Sequence, residues 1–393
     1  MTRIPTPDIP VLRDVAVTRY EQRAPRFYGG IEEQKSIPEG RVIEGKGYRD
    51  IPQQIVRETS GGFLKRSTSI PTLKGRWLFG GPLWSHFGHF FTDCIHRLWP
   101  LVDSPKAYKG VVFLAVKGLE NIRNDAQLAA ADPPPYLGEL LKLLDLENIN
   151  IQYIKHPTII ERLAVPPAGT GLHAPVGDFY RPYLRHYQDR IAEKVDVHIR
   201  RAPERLYLGR SHLLRKGGIL GSSYWENALI ANGFYSATPE AMRLPLQLGH
   251  LLGAKTIVMD EGSAAHPTQV FDRVDTEFFM LPRRPHKIGM NPFENMIGTR
   301  APFTNLVERE NMVKLPDRYG SMSTPAGLAV YRDPSKVFDD MAARGLLVGS
   351  FDALAYVRAE DADMSAADCN TPMIAQKRRE LLVEARAQRP QNT

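Results

Sequence analysis

Only two cysteines occur in 393 residues, Cys94 and Cys369, and they stand far apart in the chain. Neither a disulfide framework nor a zinc-ligand spacing can be built from such a pair, so a reducing compartment fits. No run of about 18 apolar residues occurs, so hydropathy gives no membrane-spanning helix. The opening MTRIPTPDIPVLRDVAV has no continuous apolar stretch of the secretory-signal kind. The expectation is a cytoplasmic protein. There is also no internal repeat of fixed period.

What is present is a large apolar fraction, 42% of residues, which supports a sizeable core and argues against wholesale disorder. The length suggests two domains with extensions. Basic residues number 51 against 44 acidic, a formal charge of +7. Such an excess favours an anionic partner: a nucleotide, a phospholipid-linked substrate or nucleic acid. It also serves solubility.

Residues 1–70 are rich in proline, glycine and charge, and read as an N-terminal extension. Residues 71–190 read as a first α/β domain. WLFGG (77–81) is a strand ending in glycines, and Phe87, Phe90, Phe91, Ile95, Leu98 and Leu101 fall at helical spacing until Pro100 and Asp103-Ser104-Pro105 stop the helix. GVVFLAV (110–116) is a buried strand, YLGELLKLLDL (136–146) an amphipathic helix, and 150–156 and 158–167 further strands. A loop and a long helix over 168–200 connect to a second α/β domain over 200–310. There RLYLGRS (205–211), FYSAT (234–238), KTIVMD (255–260) and TEFFML (276–281) read as strands between helices at 223–233, 244–253 and 261–271. Such alternation predicts parallel sheets. Residues 311–393 read as a small helical appendage and charged tail.

Three constellations carry chemistry. Asp260-Glu261-Gly262-Ser263-Ala264-Ala265-His266 lies between an apolar strand and a predicted helix, with Glu261, Gly262, Ser263 and Ala264 as its ligand-facing part. Small residues there let a ligand approach the backbone, and a helix start offers N–H groups to phosphate. Arg210 and Arg215 follow a strand end, where two guanidinium groups could clamp a diphosphate. His89 and Asp93 are four residues apart, so they share a helix face, and a carboxylate-oriented imidazole can deprotonate a hydroxyl. Asp93 itself or His86 could also serve as base, and His96 packs or faces solvent. His86 and His89 lack a third metal ligand nearby. Asp275-Thr276-Glu277 and Asp361-Ala362-Asp363 approximate a metal-binding acidic motif but are expected to be solvated.

The runs SHFGHFFTDCIHRLWPL, LYLGRSHLLRK, WENALIANGFYSATPE and LPLQLGHLLGAKTIVMDEGSAAHPTQVF resemble glycosyltransferase family 61, of the bacterial, cell-envelope or capsule type. The carrying features are Arg210 and Arg215, Glu226 and Asn227, Gly233-Phe234, Pro239-Glu240, Gln247, and Glu261 to Ala264. The resemblance covers roughly residues 77–101 and 204–271. It implies a GT-B-like fold of two Rossmann-like domains facing across a cleft, and an inverting transfer from a nucleotide-sugar donor. It places the donor diphosphate against Arg210, Arg215 and Gly262-Ser263-Ala264, and the acceptor near His86, His89 and Asp93. Many relatives carry histidine where Glu261 stands, and the acidic group assigns this residue to sugar or ribose hydroxyls instead.

The expected partners are thus a nucleotide-sugar donor and a glycan, lipid-linked or protein acceptor, without a metal or other cofactor. The C-terminal helix offers a peripheral contact with anionic lipid. A non-catalytic nucleotide- or glycan-binding protein on the same fold is the alternative. Arg283-Arg284-Pro285-His286-Lys287 is a basic run without a recognised nucleic-acid motif, so no nucleic-acid partner is expected.

Overall fold

Apolar strands alternating with amphipathic helices can bury their faces only by layering, and the chain does this twice. The computed structural model describes residues 6–23, 26–33, 70–118, 122–171, 175–285, 292–322, 326–367 and 371–390. Unit 1 comprises the chain up to Lys194 together with His266–Arg273; unit 2 comprises Val195–Ala265 and the chain from Val274 onward. His286, Lys287 and Cys369 lie outside the described residues.

In unit 1, β1 (Val11–Arg23), β2 (Arg26–Glu33), β3 (Thr72–Leu83), β4 (Val111–Lys117), β5 (Ile151–Ile154) and β6 (Thr158–Ala164) form a sheet in the order β2-β1-β6-β3-β4-β5. β1 also pairs with β4 through Tyr20 and Val116, so β1, β6, β3 and β4 form a closed ring. Val11–Arg23 and Arg26–Glu33 are therefore sheet strands rather than extension. Composition averaged over the segment conceals Val15-Ala16-Val17, all fully buried. The Val15 and Val17 side chains pack with Trp77, Phe79, Val112, Leu114, Ile160 and Leu163.

Strand β3 does not end at Gly80-Gly81 but runs on to Leu83. Its register with β4 shifts between Phe79 and Gly81, and Gly81 has φ of +96°. A Cβ on Gly80 would lie 2.3 Å from the ring of Phe113. The glycine pair thus makes a bulge that close packing requires. The helix expected over 86–101 is also broken. One α-helical turn at Phe87–His89 passes into π-helix at Phe90–Cys94, and Pro100 opens a separate helix, Pro100–Asp103. The Thr92 hydroxyl donates to the Gly88 carbonyl at 3.0 Å, in competition with the regular backbone ladder. Proline fits a first turn because no donor is needed there.

The helices α1 (Pro135–Leu143) and α2 (Arg181–Arg200) follow the expected apolar spacing, and the division between the units falls within α2. Arg181 and Arg185 of α2 hold Asp272 at 3.0 and 3.2 Å, which fixes the returning segment His266–Arg273 in unit 1.

In unit 2, β7 (Arg205–Leu208), β8 (Tyr235–Ala237), β9 (Thr256–Asp260), β10 (Glu277–Leu281) and β11 (Phe303–Asn305) make an all-parallel sheet in the order β11-β10-β9-β7-β8. This is the flavodoxin-like order, whose direction reverses between β7 and β9. Helices α3 (Ser222–Ala231) and α4 (Leu244–Gly253) serve as crossovers. The residues from Ser263 to Val270, expected as an α-helix, form 3₁₀ turns with Pro267 inside.

The C-terminal residues are no appendage. β12 (Met312–Leu315) pairs antiparallel with β13 (Leu328–Tyr331), and α5 (Pro334–Ala343), α6 (Ala353–Ala366) and α7 (Pro372–Ala387) follow. Tyr331, Val337, Phe338, Met341 and Tyr356 share one core with Tyr207, Trp225, Val258 and Phe279. The apolar face of α5 needs that burial to form. Asp363, expected in solvent, is buried on α6 and accepts from the hydroxyls of Ser222 and Ser223 at 3.2 and 2.9 Å. Asp275 and Glu277 are exposed. Among the described residues, no helix is long and apolar enough to cross a membrane.

Candidate functional site

Ligands of open parallel sheets bind beyond the carboxyl ends of the strands, where the strand order reverses. In unit 2 that place lies between the ends of β7 and β9. Arg210 stands two residues past β7, and Glu261-Gly262 follows β9 directly. Asp260, fully within the protein, accepts the Arg210 backbone N–H at 2.7 Å and the Tyr207 hydroxyl at 3.1 Å. Burial raises the Asp260 carboxyl to about 6, against the lowering pull of these bonds. Burial first, and the pairing with Asp260 second, push the Tyr207 hydroxyl well above its ordinary range.

Gly262 lies directly under the Arg210 side chain. A Cβ there would come within 2.9 Å of both Cδ and Nη1 of Arg210. Burial pulls the Arg210 guanidinium down, while Asp260 and Glu240 oppose that shift. No hydrogen-bond or ion-pair partner for this guanidinium occurs among the described residues, and its Nε is buried. Ser263 and Ala264 open the 3₁₀ turns beside it.

Glu261 has a different task from the expected one. It is wholly buried, and one carboxylate oxygen accepts the backbone N–H groups of Arg283 and Arg284 at 2.9 and 3.0 Å. The other oxygen pairs with the Arg284 guanidinium, and the Glu261 carbonyl accepts from Arg283 Nε at 2.9 Å. Glu261 therefore builds the turn after β10 rather than offering itself to sugar hydroxyls. Arg283 is driven down to about 10 by burial first and by Arg284 second.

Other residues of the resemblance are placed as supports. Glu226 of α3 accepts from Ser211 at 2.5 Å and Ser236 at 2.6 Å, tying the turn after β7 to strand β8. Gln247 donates to the Pro239 and Met242 carbonyls at 2.9 and 2.8 Å. Arg215 does not join Arg210: its Nε reaches the Ala366 carbonyl at the end of α6, at 3.4 Å. The 3₁₀ turns of Ser211–Lys216 carry it away from the strand end.

The second constellation lies in unit 1. His89 Nδ1 is 3.4 Å from Asp93 Oδ2, with the imidazole side chain 26% exposed and the carboxylate 2%. The one α-turn followed by π-helix still places these residues face to face. The rings of Trp84 and His86 each lie 5.0 Å from that of His89. Against Gly88 sits a third imidazole, that of His266: a Cβ on the glycine would be 3.0 Å from its Nε2. His266 Nδ1 lies 2.9 Å from the Thr92 hydroxyl, to which Gln269 donates at 3.0 Å. His96 is buried and bonds Tyr180 at 3.1 Å, so it packs. Among the described residues no group of three or more histidine, cysteine or acidic side chains could hold a metal ion. The Cys94 thiol is buried, raised well above its usual range, and donates to the Pro82 carbonyl.

Sequence reading placed His266 only in the turn after β9, and missed Gln269 and the Arg283-Arg284 pair as site residues. The signal for the arginines was available: they follow strand β10 as Arg210 follows β7. His266 carried none, because its partner Thr92 is 174 residues away. No protein-family model matches the chain, and no curated protein matches it.

Proposed function

We propose that the chain is an inverting glycosyltransferase that moves a sugar from a nucleotide-sugar donor to a hydroxyl of a glycan, lipid-linked or protein acceptor. The observation that carries the reading is the Arg210 guanidinium, which has no partner among the described residues and packs on Gly262 where the strand order of a parallel sheet reverses. Such a position suits a diphosphate. The GT-B-like arrangement implied by the resemblance is part of the same proposal, with unit 2 taking the donor.

In this reading the acceptor hydroxyl meets His89, which Asp93 orients. His89 takes the hydroxyl proton, the oxygen forms a bond to the anomeric carbon, and the bond from that carbon to the diphosphate oxygen breaks. One displacement inverts the centre. The leaving diphosphate gathers charge as it departs, and a fixed cation stabilises that charge without reorganisation. Arg210 fills this role, so turnover is expected to continue in EDTA.

The test is hydrolysis and transfer across a panel of nucleotide sugars, with and without EDTA. Turnover of one donor class that survives chelation supports the reading. Nucleotide-sugar binding without turnover on any acceptor would favour a non-catalytic binding protein. Abolition by EDTA with rescue by a divalent cation would overturn the leaving-group assignment.

A further inference from the structure

The Thr92 hydroxyl has three polar neighbours. The Gly88 carbonyl lies at 3.0 Å, Nδ1 of His266 at 2.9 Å and Nε2 of Gln269 at 3.0 Å. A hydroxyl has one hydrogen and two lone pairs. The Gly88 carbonyl can only accept, so the hydrogen goes there. The Gln269 amide nitrogen can only donate, so it takes one lone pair. The other lone pair faces the imidazole, and Nδ1 of His266 must donate to it. Were Nδ1 bare, the shortest of these contacts would set two lone pairs against each other. Gln269 Nε2 also stands 3.2 Å from Nδ1, the longest approach in the group, and there two donors share Thr92. Thr92 and Gln269 are both buried, so the network is closed to bulk water.

The bond at one ring nitrogen sets the state of the other. A neutral His266 with its proton on Nδ1 carries a lone pair on Nε2. That nitrogen faces the turn of the candidate base. A Cβ on Gly88 would lie 3.0 Å from it and 3.3 Å from Cε1 of His86, whose ring is 5.0 Å from that of His89. Gly88 thus lets His266 close on the helical turn that carries His89, within unit 1.

We infer that His266 binds a polyhydroxyl acceptor: its Nε2 takes a hydrogen bond from a hydroxyl other than the one His89 deprotonates, and Thr92 and Gln269 are positioning residues that fix its tautomer. His89 and His266 are each held at Nδ1, by Asp93 in one case and Thr92 in the other. A carboxylate stabilises the imidazolium that a base becomes, whereas a hydroxyl supplies no such charge. His266 is therefore suited to hold a hydroxyl without removing its proton. A sugar brings several hydroxyls to one site, while a serine or threonine side chain brings one. The inference rests on the transferase reading and narrows its acceptor to a glycan.

Long-range proton–nitrogen NMR of the full chain, labelled at histidine and recorded at about pH 8.5, where an ordinary imidazole is neutral, reads the tautomer. The His266 signal is assigned by its loss in His266→Gln. Nδ1–H is expected in the wild type and in Thr92→Ser, which keeps the hydroxyl; Thr92→Val should lose that preference. An Nε2–H wild type, or a Thr92→Val spectrum like that of the wild type, overturns the assignment. The wild-type spectrum decides by itself if Thr92→Val fails to fold. Transfer to a panel of methyl glycosides and to a serine-containing peptide tests the substrate class. The glycosides should be used, and Thr92→Val should raise their KM about 3- to 10-fold, the loss of one neutral hydrogen bond, with kcat affected less. Use of the peptide in their place, or an unchanged KM, overturns the contact with sugar. No transfer from any nucleotide sugar sinks the transferase reading and the sugar contact with it, while the tautomer stands or falls on the spectrum alone.

Discussion

Gly262 lies so close beneath Arg210 that a Cβ on the glycine would fall 2.9 Å from Nη1 of the arginine. That contact sets the direction of the guanidinium at the end of β7. A methyl group there must displace the flexible end of Arg210, at little cost in folding. Gly262→Ala is therefore expected to weaken nucleoside diphosphate binding about tenfold, about 1.4 kcal/mol. Calorimetry beside a thermal melt checks this; unchanged affinity would show that the guanidinium does not meet the ligand.

His89→Ala is expected to lower kcat by about 100- to 10,000-fold, the usual loss for a general base. Donor binding should stay nearly constant, because the imidazole belongs to unit 1 and Arg210 to unit 2. Asp93→Asn should reduce kcat less, since it disturbs only the orientation of the ring. Near-normal turnover of His89→Ala on the true acceptor would move the role to Asp93 or His86.

Asp260 links stability to pH. Its carboxyl is raised to about 6 from an ordinary 3.8, so between those values the folded chain keeps a proton that the unfolded chain has lost. The contribution of this group to stability must then fall as pH rises from about 4 to about 6, and level off above. The shift corresponds to about 3 kcal/mol at most. Relative to Asp260→Asn, which cannot ionise, the wild type should therefore lose ground over this window. Urea midpoints of both proteins at pH 4.5 and 7 measure it; a constant difference would contradict the burial argument.

Glu261→Ala removes a buried acceptor from two backbone N–H groups and one guanidinium. Breaking a buried pair on one side costs about 3 kcal/mol. The variant should show a clearly lower urea midpoint. If stability holds, Glu261 is not the anchor of the Arg283-Arg284 turn.

The sequence by itself determined strands β3 to β10 and helices α1 to α4. The period of two in the strands and of 3.6 in α1 to α4 arises from each side chain's own neighbours, and so it can be read locally. The spacing of His89 and Asp93 was legible for the same reason, and their contact survives a change from α- to π-helix. The resemblance drew attention to Arg210 and Gly262, which the fold places in contact. Tertiary structure decided the rest. Val15-Ala16-Val17 is too short a run to announce a strand until β6 and β2 supply its hydrogen bonds. Glu261 looks like a ligand-facing acid in sequence, and becomes an internal acceptor only because β10 delivers two N–H groups from 22 and 23 residues further on. Arg215 looked equivalent to Arg210, yet the 3₁₀ turns point it to Ala366. His266 reaches Thr92 only through the returning segment that Arg181 and Arg185 clamp at Asp272. Local pattern specifies which way a side chain faces on its own element; which charges meet depends on sheet order, and that is fixed by contacts far apart in the chain.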